Sequence, residues 1–453
     1  MANEEHAILL AKGVDAWNRW RQENPQTTPD LGGTYLNGIN LSQADLRGAY
    51  LRGTNFSKAN LHGADLKGAD LGKVNLKEAD LSEADLSEAD LSEADLRNAN
   101  LSDAHLSHAD LTKANLYRAC FRRADLREAI LSSANLSRAE LEEAHLNSAN
   151  LQGATLTSAV VSEAYLGGAD LRLANLSGAN LSGTDLTKAN LDKTFLSRAN
   201  CSRTHLSQAN CTRSRLSGTN FSEALLNGTN FSEADLSEAN LSEADLRLAN
   251  LSQANLSSAD LRNANLSRTR VSAANFAEAQ LTGVCLENWK VNSDTNFQGV
   301  ICHYVYLKDG QHDRRPKQGN FSSGEFNQLF NPGPETIKLV FRHGVVWEAF
   351  VCSYRKVATV HKAAHLDTLS IEKKEDGTVV VKVGIASGAS PSQIQADLMQ
   401  CYDSARRALE TQMTMDDKNG AIDGLFSALY QARKRLSEVS KPLAETSSRS
   451  SRS

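Results

Sequence analysis

The sequence predicts a mainly β protein, a long right-handed β-helical rod with helical and α+β elements at its ends, and three observations predict it. The first is a period of five. From Leu31 a large apolar residue recurs at every fifth position, through Leu41, Leu46, Leu51 and Phe56 to Leu281, Leu286 and Val291, without a slip. Neither a helical nor a simple strand period explains that spacing. The second is the company each apolar residue keeps: two positions before it stands Ala, Gly, Thr or another small residue, as in Ala84-Asp85-Leu86-Ser87-Glu88. The third is composition. Aromatic residues are only 6% of the 453, too few for a conventional core, so a regular stacked interior has to replace the usual large side chains.

Within each unit the small and the large apolar residue point inward, while the polar residue between them and the two that follow point out. Leu fills the interior in layers, and Ala lets the walls close around it without voids. The frequent Ser after Leu, and the Asp or Asn before it, are residues that bond locally to turn backbone, which suits a chain that bends every five residues. Cys201 and Cys211 take Leu positions and read as buried structural thiols, because free Cys packs as a small hydrophobe. Near residues 292–296 one extra residue shifts the phase to Phe297, Cys302 and Leu307, and the rod is expected to end thereabouts.

The unit Ala-Asp/Asn-Leu-x-x resembles that of the pentapeptide-repeat family over more than half the chain. The resemblance implies a right-handed quadrilateral β-helix with four pentapeptides per coil, so that residues twenty apart stack in columns about 4.8 Å apart. It implies about thirteen coils and a rod on the order of 60 Å long. The flanking segments resemble those of cyanobacterial-type members that carry a C-terminal module of unassigned function.

Residues 1–30 read as an N-terminal helical cap: Leu10, Val14 and Trp17 fall at helical spacing over 3–22, Ala7 and Ala11 lie beside them, and Pro25 stops the helix. Such a cap covers the open coil edge that would otherwise invite aggregation, with Trp17 and Trp20 as packing residues. The repeat occupies 31–307, and the polar run from His312 to Lys317 marks 308–320 as a linker. An α+β domain is expected over 321–445. In it 322–330 reads as helical, and 335–354 as two short helices or a strand and a helix, the spacing of Trp347, Phe350 and Val351 favouring helices. Residues 366–371 and 379–383 flank Glu375-Asp376-Gly377 as a hairpin. Ser390-Pro391 opens a helix to about Met413, a last helix is expected over 421–439, and 446–453 reads as a disordered tail.

Composition excludes several function classes. Early Glu4 and Glu5 and a short apolar stretch at 7–11 speak against a signal or membrane segment, so a cytoplasmic protein is expected. The seven cysteines are odd in number and lack a Cys-x-x-Cys pair, which fits reduced thiols better than a disulfide framework. There is no G-x-G-x-x-G, nucleophile elbow or H-E-x-x-H, so no catalytic constellation, no cofactor and no enzyme activity are expected. His343, His361 and His365 read as polar surface rather than metal ligands.

One column, Asp85, His105, Asp125 and His145, alternates carboxylate and imidazole at intervals of twenty. It is the candidate site for a divalent metal, against the alternative of a solvated ladder whose Asp and His share hydrogen bonds. Charge is banded along the sequence: 78–95 acidic, 113–127 mainly basic, 198–215 basic and 223–243 acidic. The family it resembles includes members that modulate type II topoisomerases as acidic rods imitating DNA, which requires one sign of potential along the length. Alternating bands cancel beyond a Debye length of about 10 Å. The basic bands read as encircling the rod without interleaved aromatics, so nucleic acid is not an expected partner.

The repeat is net negative and the C-terminal segment net positive, which permits association of oppositely signed parts. The expected function is therefore a non-enzymatic rigid scaffold for protein–protein interaction. Its C-terminal domain would serve as a docking or oligomerisation module, for an unknown protein partner or in a homodimer. The alternative is a DNA-mimicking modulator of a type II topoisomerase, DNA gyrase.

Overall fold

The computed structural model describes residues 3–412 apart from 290, 293, 323, 331–334, 343, 363–364, 375 and 386–389. The chain divides into two compact units, Met1–Asn327 and Gln328–Ser453.

The first unit is built on the repeat. The polar residue of each pentapeptide forms a parallel bridge with the residue twenty positions on, as in Asp65↔Asp85 and Asp85↔His105. Leu86 N donates to His105 O at 2.6 Å, Asp85 N to Ala64 O at 2.9 Å, and Glu88 N to Ser107 O at 2.9 Å, and the pattern recurs coil after coil. The inward pair is sealed: Ala84 and Leu86 are both 0% exposed.

Each corner is a four-residue turn closed by a hydrogen bond such as Ala89 N to Leu86 O at 3.1 Å. Its third residue has positive φ, 61° at Glu88, the arrangement of a type II turn. Glycine takes that place at Gly68 and Gly153, but Glu, Lys, Arg, Ser and Asn hold it at most corners. The expected local bonding of Asp and Ser is present: Asp85 Oδ1 accepts from Ser87 N at 2.9 Å and Ser87 Oγ at 2.6 Å.

At the N-terminus the single expected helix is two, α1 (Glu4–Leu10) and α2 (Val14–Glu23). Gly13, at φ 101°, interrupts them, because glycine accepts a backbone conformation that ends a helix. The side chains of α2 bond the edge groups that a preceding coil would otherwise take. Trp17 Nε1 donates to Asp45 O at 2.8 Å, Arg21 Nη2 to Arg47 O at 2.8 Å, and Asn18 Oδ1 accepts from Asp45 N at 2.7 Å. Trp17 is 0% exposed.

At the other end the phase shift falls where expected, and bridges now span twenty-one residues, as in Gln280↔Ile301. The Asn292 side chain takes the place of a ladder carbonyl, accepting from Ala273 N at 2.9 Å. Phe276 stacks on Phe297 at 5.6 Å, with Trp289 and Phe326 edge-on or tilted against them, and this aromatic cluster covers the last interior layers.

The expected linker at 308–320 is corrected. β1 (Val305–Lys308) pairs antiparallel with β2 (His312–Arg315) through a turn in which Gly310 and Gln311 both have positive φ. Arg314 stacks on Tyr304 at 4.2 Å and donates to Gly319 O at 2.8 Å. The polar composition is that of an exposed edge strand, not of a free connector. A short helix, α3 (Glu325–Phe330), follows.

In the second unit β3 (Glu335–Phe341), β4 (Asp367–Lys373) and β5 (Val379–Ile385) form an antiparallel sheet in the order β3-β5-β4. The hairpin expected around Asp376 and Gly377 is the β4–β5 pair. The preference for helices over 335–354 is corrected in its first half. Ile337, Leu339 and Phe341 alternate inward with period two and pair with Val383, Val381 and Val379. Only from Trp347 does the chain become helical, in α4 (Trp347–Val360). Helix α5 (Pro391–Gln412) follows, and Phe350, Val357, Ile394, Leu398 and Tyr402 cover the inner face of the sheet. Tyr402 Oη accepts from Val346 N at 2.9 Å, tying α5 to the start of α4. The helix expected over 421–439 and the tail over 446–453 lie outside the described residues.

Candidate functional site

The columns of the rod place Asp85, His105, Asp125 and His145 one above another, each bridged to the next. The side chains, however, turn to separate partners. Asp85 is engaged by Ser87, and Asp125 is forked onto Arg127 at 2.8 and 2.6 Å. The Arg127 hydrogen bonds hold the Asp125 carboxyl below the usual carboxylate range, against the opposing effect of partial burial. His145 stacks face to face on Tyr165 at 4.8 Å. No Asp–His hydrogen bond joins the column among the described residues: the carboxylates of Asp85 and Asp125 are taken by Ser87 and Arg127 on their own turns. Nor does any group of three or more His, Cys, Asp or Glu close enough to hold a metal occur among them.

His361 has a companion that sequence spacing does not reveal. Its Nε2 lies 2.8 Å from Asp397 Oδ2, whose other oxygen accepts from Gln393 at 3.0 Å. The pair links the end of α4 to α5, and thirty-six residues of separation on two helices left no signal in the sequence. Cys201 and Cys211 are fully buried, and burial pushes both thiols up. Cys302, half-buried near the rod end, is pushed up to about 12 by the same cause. Such thiols are unreactive at neutral pH. A shallow concavity of about 280 Å³ is lined by Arg247, Leu248, Arg268, Glu287 and Asp309, but its charges are matched internally: Arg247 forks onto Asp245 and Arg268 reaches Glu287.

Corner residues twenty apart pair by charge. Lys58 meets Glu78 at 3.6 Å, Lys73 meets Glu93 at 3.6 Å, and Arg123 meets Asp103 at 2.7 Å. Alternating bands thus become ladders of ion pairs up the corners. The basic band at 113–127 does run round the rod, with Lys113, Arg118, Arg122, Arg123 and Arg127 at successive corners, but Arg122, Arg123 and Arg127 are matched by Glu140 and Glu142, Asp103 and Asp125, and most of the basic side chains left without an ion pair among the described residues between 112 and 218 lie on one face.

A sealed interior of Leu and Ala, parallel ladders at intervals of twenty and a turn at every fifth residue define a repeat protein of the β-helical class. The family model for pentapeptide repeats matches in overlapping stretches from residue 30 to residue 288, and the chain belongs to the pentapeptide-repeat family, whose fold is a right-handed β-helix. No curated protein matches it. Among solved structures it is similar to HetL, a pentapeptide repeat protein involved in heterocyst differentiation regulation in the cyanobacterium Nostoc, with 31% identity over 56% of this chain and 92% of that one and a TM-score of 0.23. It is similar to Rfr23 of the cyanobacterium Cyanothece at 34% identity, over 24% of this chain and 64% of that one, with a TM-score of 0.10. QnrB1, a plasmid-mediated fluoroquinolone resistance protein, is 14% identical over 59% of this chain and 89% of that one, with a TM-score of 0.16. Scores this low carry no functional argument, and the assignment rests on the repeat. Among the described residues no helix is long and apolar enough to cross a membrane.

Proposed function

We propose that this protein is a non-enzymatic scaffold for protein–protein interaction, with the rod as a display surface and the C-terminal α+β unit as a docking or oligomerisation module. The observation that carries the reading is the division of labour in the repeat. Backbone groups are spent on the ladder and inward side chains on the interior, so outward side chains are the part left to recognise a partner. Free thiols at all seven cysteines of the chain support a reducing, cytoplasmic setting. The test is the solution mass, by light scattering across concentration, of the full chain and of a truncation ending after Asn327. That end point keeps the β1–β2 hairpin with the rod. A dimer that becomes a monomer on truncation makes the C-terminal unit the assembly module. A monomer in both cases assigns that unit to a different partner.

DNA mimicry is the second reading, and one observation favours it. Asp65 and Asp85 stack on one face while Asp70, Asp90 and Asp110 stack on the adjacent one. Weighing against it, the neighbouring corners carry Lys67 and Lys73 paired to Glu88 and Glu93, which shortens the reach of the acidic field. Titration of the full chain into a DNA gyrase supercoiling reaction is expected to leave activity unchanged; loss of supercoiling at stoichiometric protein would reverse the order of the two readings.

A further inference from the structure

One face of the rod stands out in its charge, with Lys113, Arg118, Arg138, Arg172, Lys193, Arg198, Arg213 and Arg215 against a single carboxylate between residues 112 and 218. Its central column runs Asn115, Asn135, Thr155, Asn175, Phe195 and Arg215, joined by parallel bridges. The corner before it presents Lys113, Arg172, Lys193 and Arg213, and the corner after it Arg118, Arg138 and Arg198, all exposed. Among the described residues the sole carboxylate on this face between 112 and 218 is Asp192, which Arg213 holds at 2.9 Å. Arg172 turns away to Asp170 on the adjacent face at 2.5 Å. The opposite face of the same coils is mixed: Asp125 and Asp185 with Glu128, Glu142, Glu143 and Glu163, against Arg122, Arg123, Arg127, Lys188 and Arg203, so that its charges nearly cancel. Just beyond each end the sign reverses, at Glu93 and Asp95 on one side and at Glu233, Asp235 and Glu238 on the other. The basic face is therefore bounded, five coil spacings or about 24 Å long.

Its charges fall into two groups. Lys113, Arg118 and Arg138 form one, Lys193, Arg198 and Arg215 the other, and none of these makes an ion pair among the described residues. Between them the face carries Gln152, Thr155, Thr157, Asn175 and Ser177, with Arg172 forked onto Asp170 at its edge. In each group an arginine lies over an aromatic ring, Arg118 over Tyr117 at 5.3 Å and Arg215 over Phe195 at 5.0 Å, and Arg138 donates to Tyr117 Oη at 3.3 Å. A guanidinium held on a ring keeps its donor edge free and loses less freedom on binding a carboxylate.

From this geometry we infer that the face between residues 112 and 218 is a docking surface for a protein segment with two acidic clusters. The proposal rests on the scaffold reading and gives it a location and a chemistry. The two basic groups are centred four coils apart, about 19 Å, which an extended peptide spans with about six residues. Amide and hydroxyl side chains between them suit the polar backbone of such a segment. Nucleic acid fits less well. The rings that would stack bases are already covered by arginine, the cation in the middle of the face, Arg172, is already neutralised by Asp170 where a continuous phosphate backbone would require free ones, and the chain as a whole carries a net charge of -5.

The test uses the full chain and a fluorescent peptide with two four-glutamate clusters joined by a six-residue Gly/Ser spacer, read by anisotropy, with a duplex DNA of about twenty base pairs as comparator. Binding is expected to weaken about tenfold or more between low and moderate salt. It should weaken at least tenfold in an Arg118→Ser, Arg138→Ser, Arg198→Ser variant of unchanged melting temperature, and stay within about twofold in a Lys188→Ser, Arg203→Ser control on the other faces. Equal loss in the control, absence of peptide binding, or tighter binding of the duplex overturns the proposal. The scaffold reading is judged separately: absence of peptide binding by a chain that self-associates, or that cross-links to a protein in a cell extract equally with and without the three substitutions, removes this face alone. A monomer that cross-links to nothing removes the scaffold reading as well.

Discussion

A glutamate with φ of 61° sits at the corner Glu88, and leucines hold the same conformation at Leu173 and Leu248. The left-handed region is tolerated by Gly and Asn and opposed by branching at Cβ. Glu88→Val is therefore expected to destabilise the rod by about 1 kcal/mol or more, and Glu88→Asn by less than about half that, in urea unfolding. In the interior, Cys201 and Cys211 lie one coil below Phe221 and Phe231, whose rings meet at 6.2 Å. Small residues in one layer make room for large ones in the next, so Cys201→Leu should over-pack and lose about 1–3 kcal/mol by the same measurement. On the surface, Arg97, Arg127, Arg172 and Arg262 hold Asp95, Asp125, Asp170 and Asp260 below the usual carboxylate range. A depressed folded-state pKa contributes stability above the unfolded value near 4 and loses it as pH falls through the folded value. Acid unfolding below about pH 4 should thus be shallower when the four arginines become Gln.

Elements close the ends of the repeat, and they were only partly legible. Trp17 and Pro25 identified the cap, since an apolar stripe that stops before the first repeat has one place to go. The break at Gly13 was hidden, because glycine within a helical pattern is tolerated as often as not. Trp17→Ala removes both a fully buried ring and the hydrogen bond to Asp45 O. It is expected to cost about 3–5 kcal/mol locally, seen as faster hydrogen exchange of the Asp45 and Leu46 amides with little change at the middle of the rod. Equal acceleration throughout would mean that the rod opens as one unit rather than from its end. β2 goes unseen in the sequence and β3 stands there only as the less favoured alternative, for opposite reasons. His312–Arg315 is polar because it is an edge, while residues 335–341 belong to an apolar stretch whose period of two shows only once β5 is placed beside it.

At the scale of the molecule, a rod whose coils touch only their neighbours and a separate α+β unit have no reason to unfold together. Calorimetry of the full chain should give two transitions, of which the truncation after Asn327 keeps one; a single shared transition would show that the units are coupled. Salt should act on the two levels of charge differently. The corner pairs, such as Lys58 with Glu78, are exposed and individually weak, so melting should change little, whereas any binding to the basic face should fall steeply.

The interior, the turns and the phase shift near residue 292 were all determined by the sequence alone, because each pentapeptide closes its own turn and buries its own pair of residues. Local pattern and local structure are there the same thing. Which outward residues share a face was decided only by the tertiary structure. The coil brings together residues twenty apart and separates neighbours onto different faces, so acidic and basic bands in the sequence became ion-pair ladders at the corners and one basic face between 112 and 218. The same holds for the Asp85, His105, Asp125 and His145 column. The sequence placed the four residues in line, and the competition of Arg127, Ser87 and Tyr165 for the side chains of Asp125, Asp85 and His145, visible only in three dimensions, decided what those three touch.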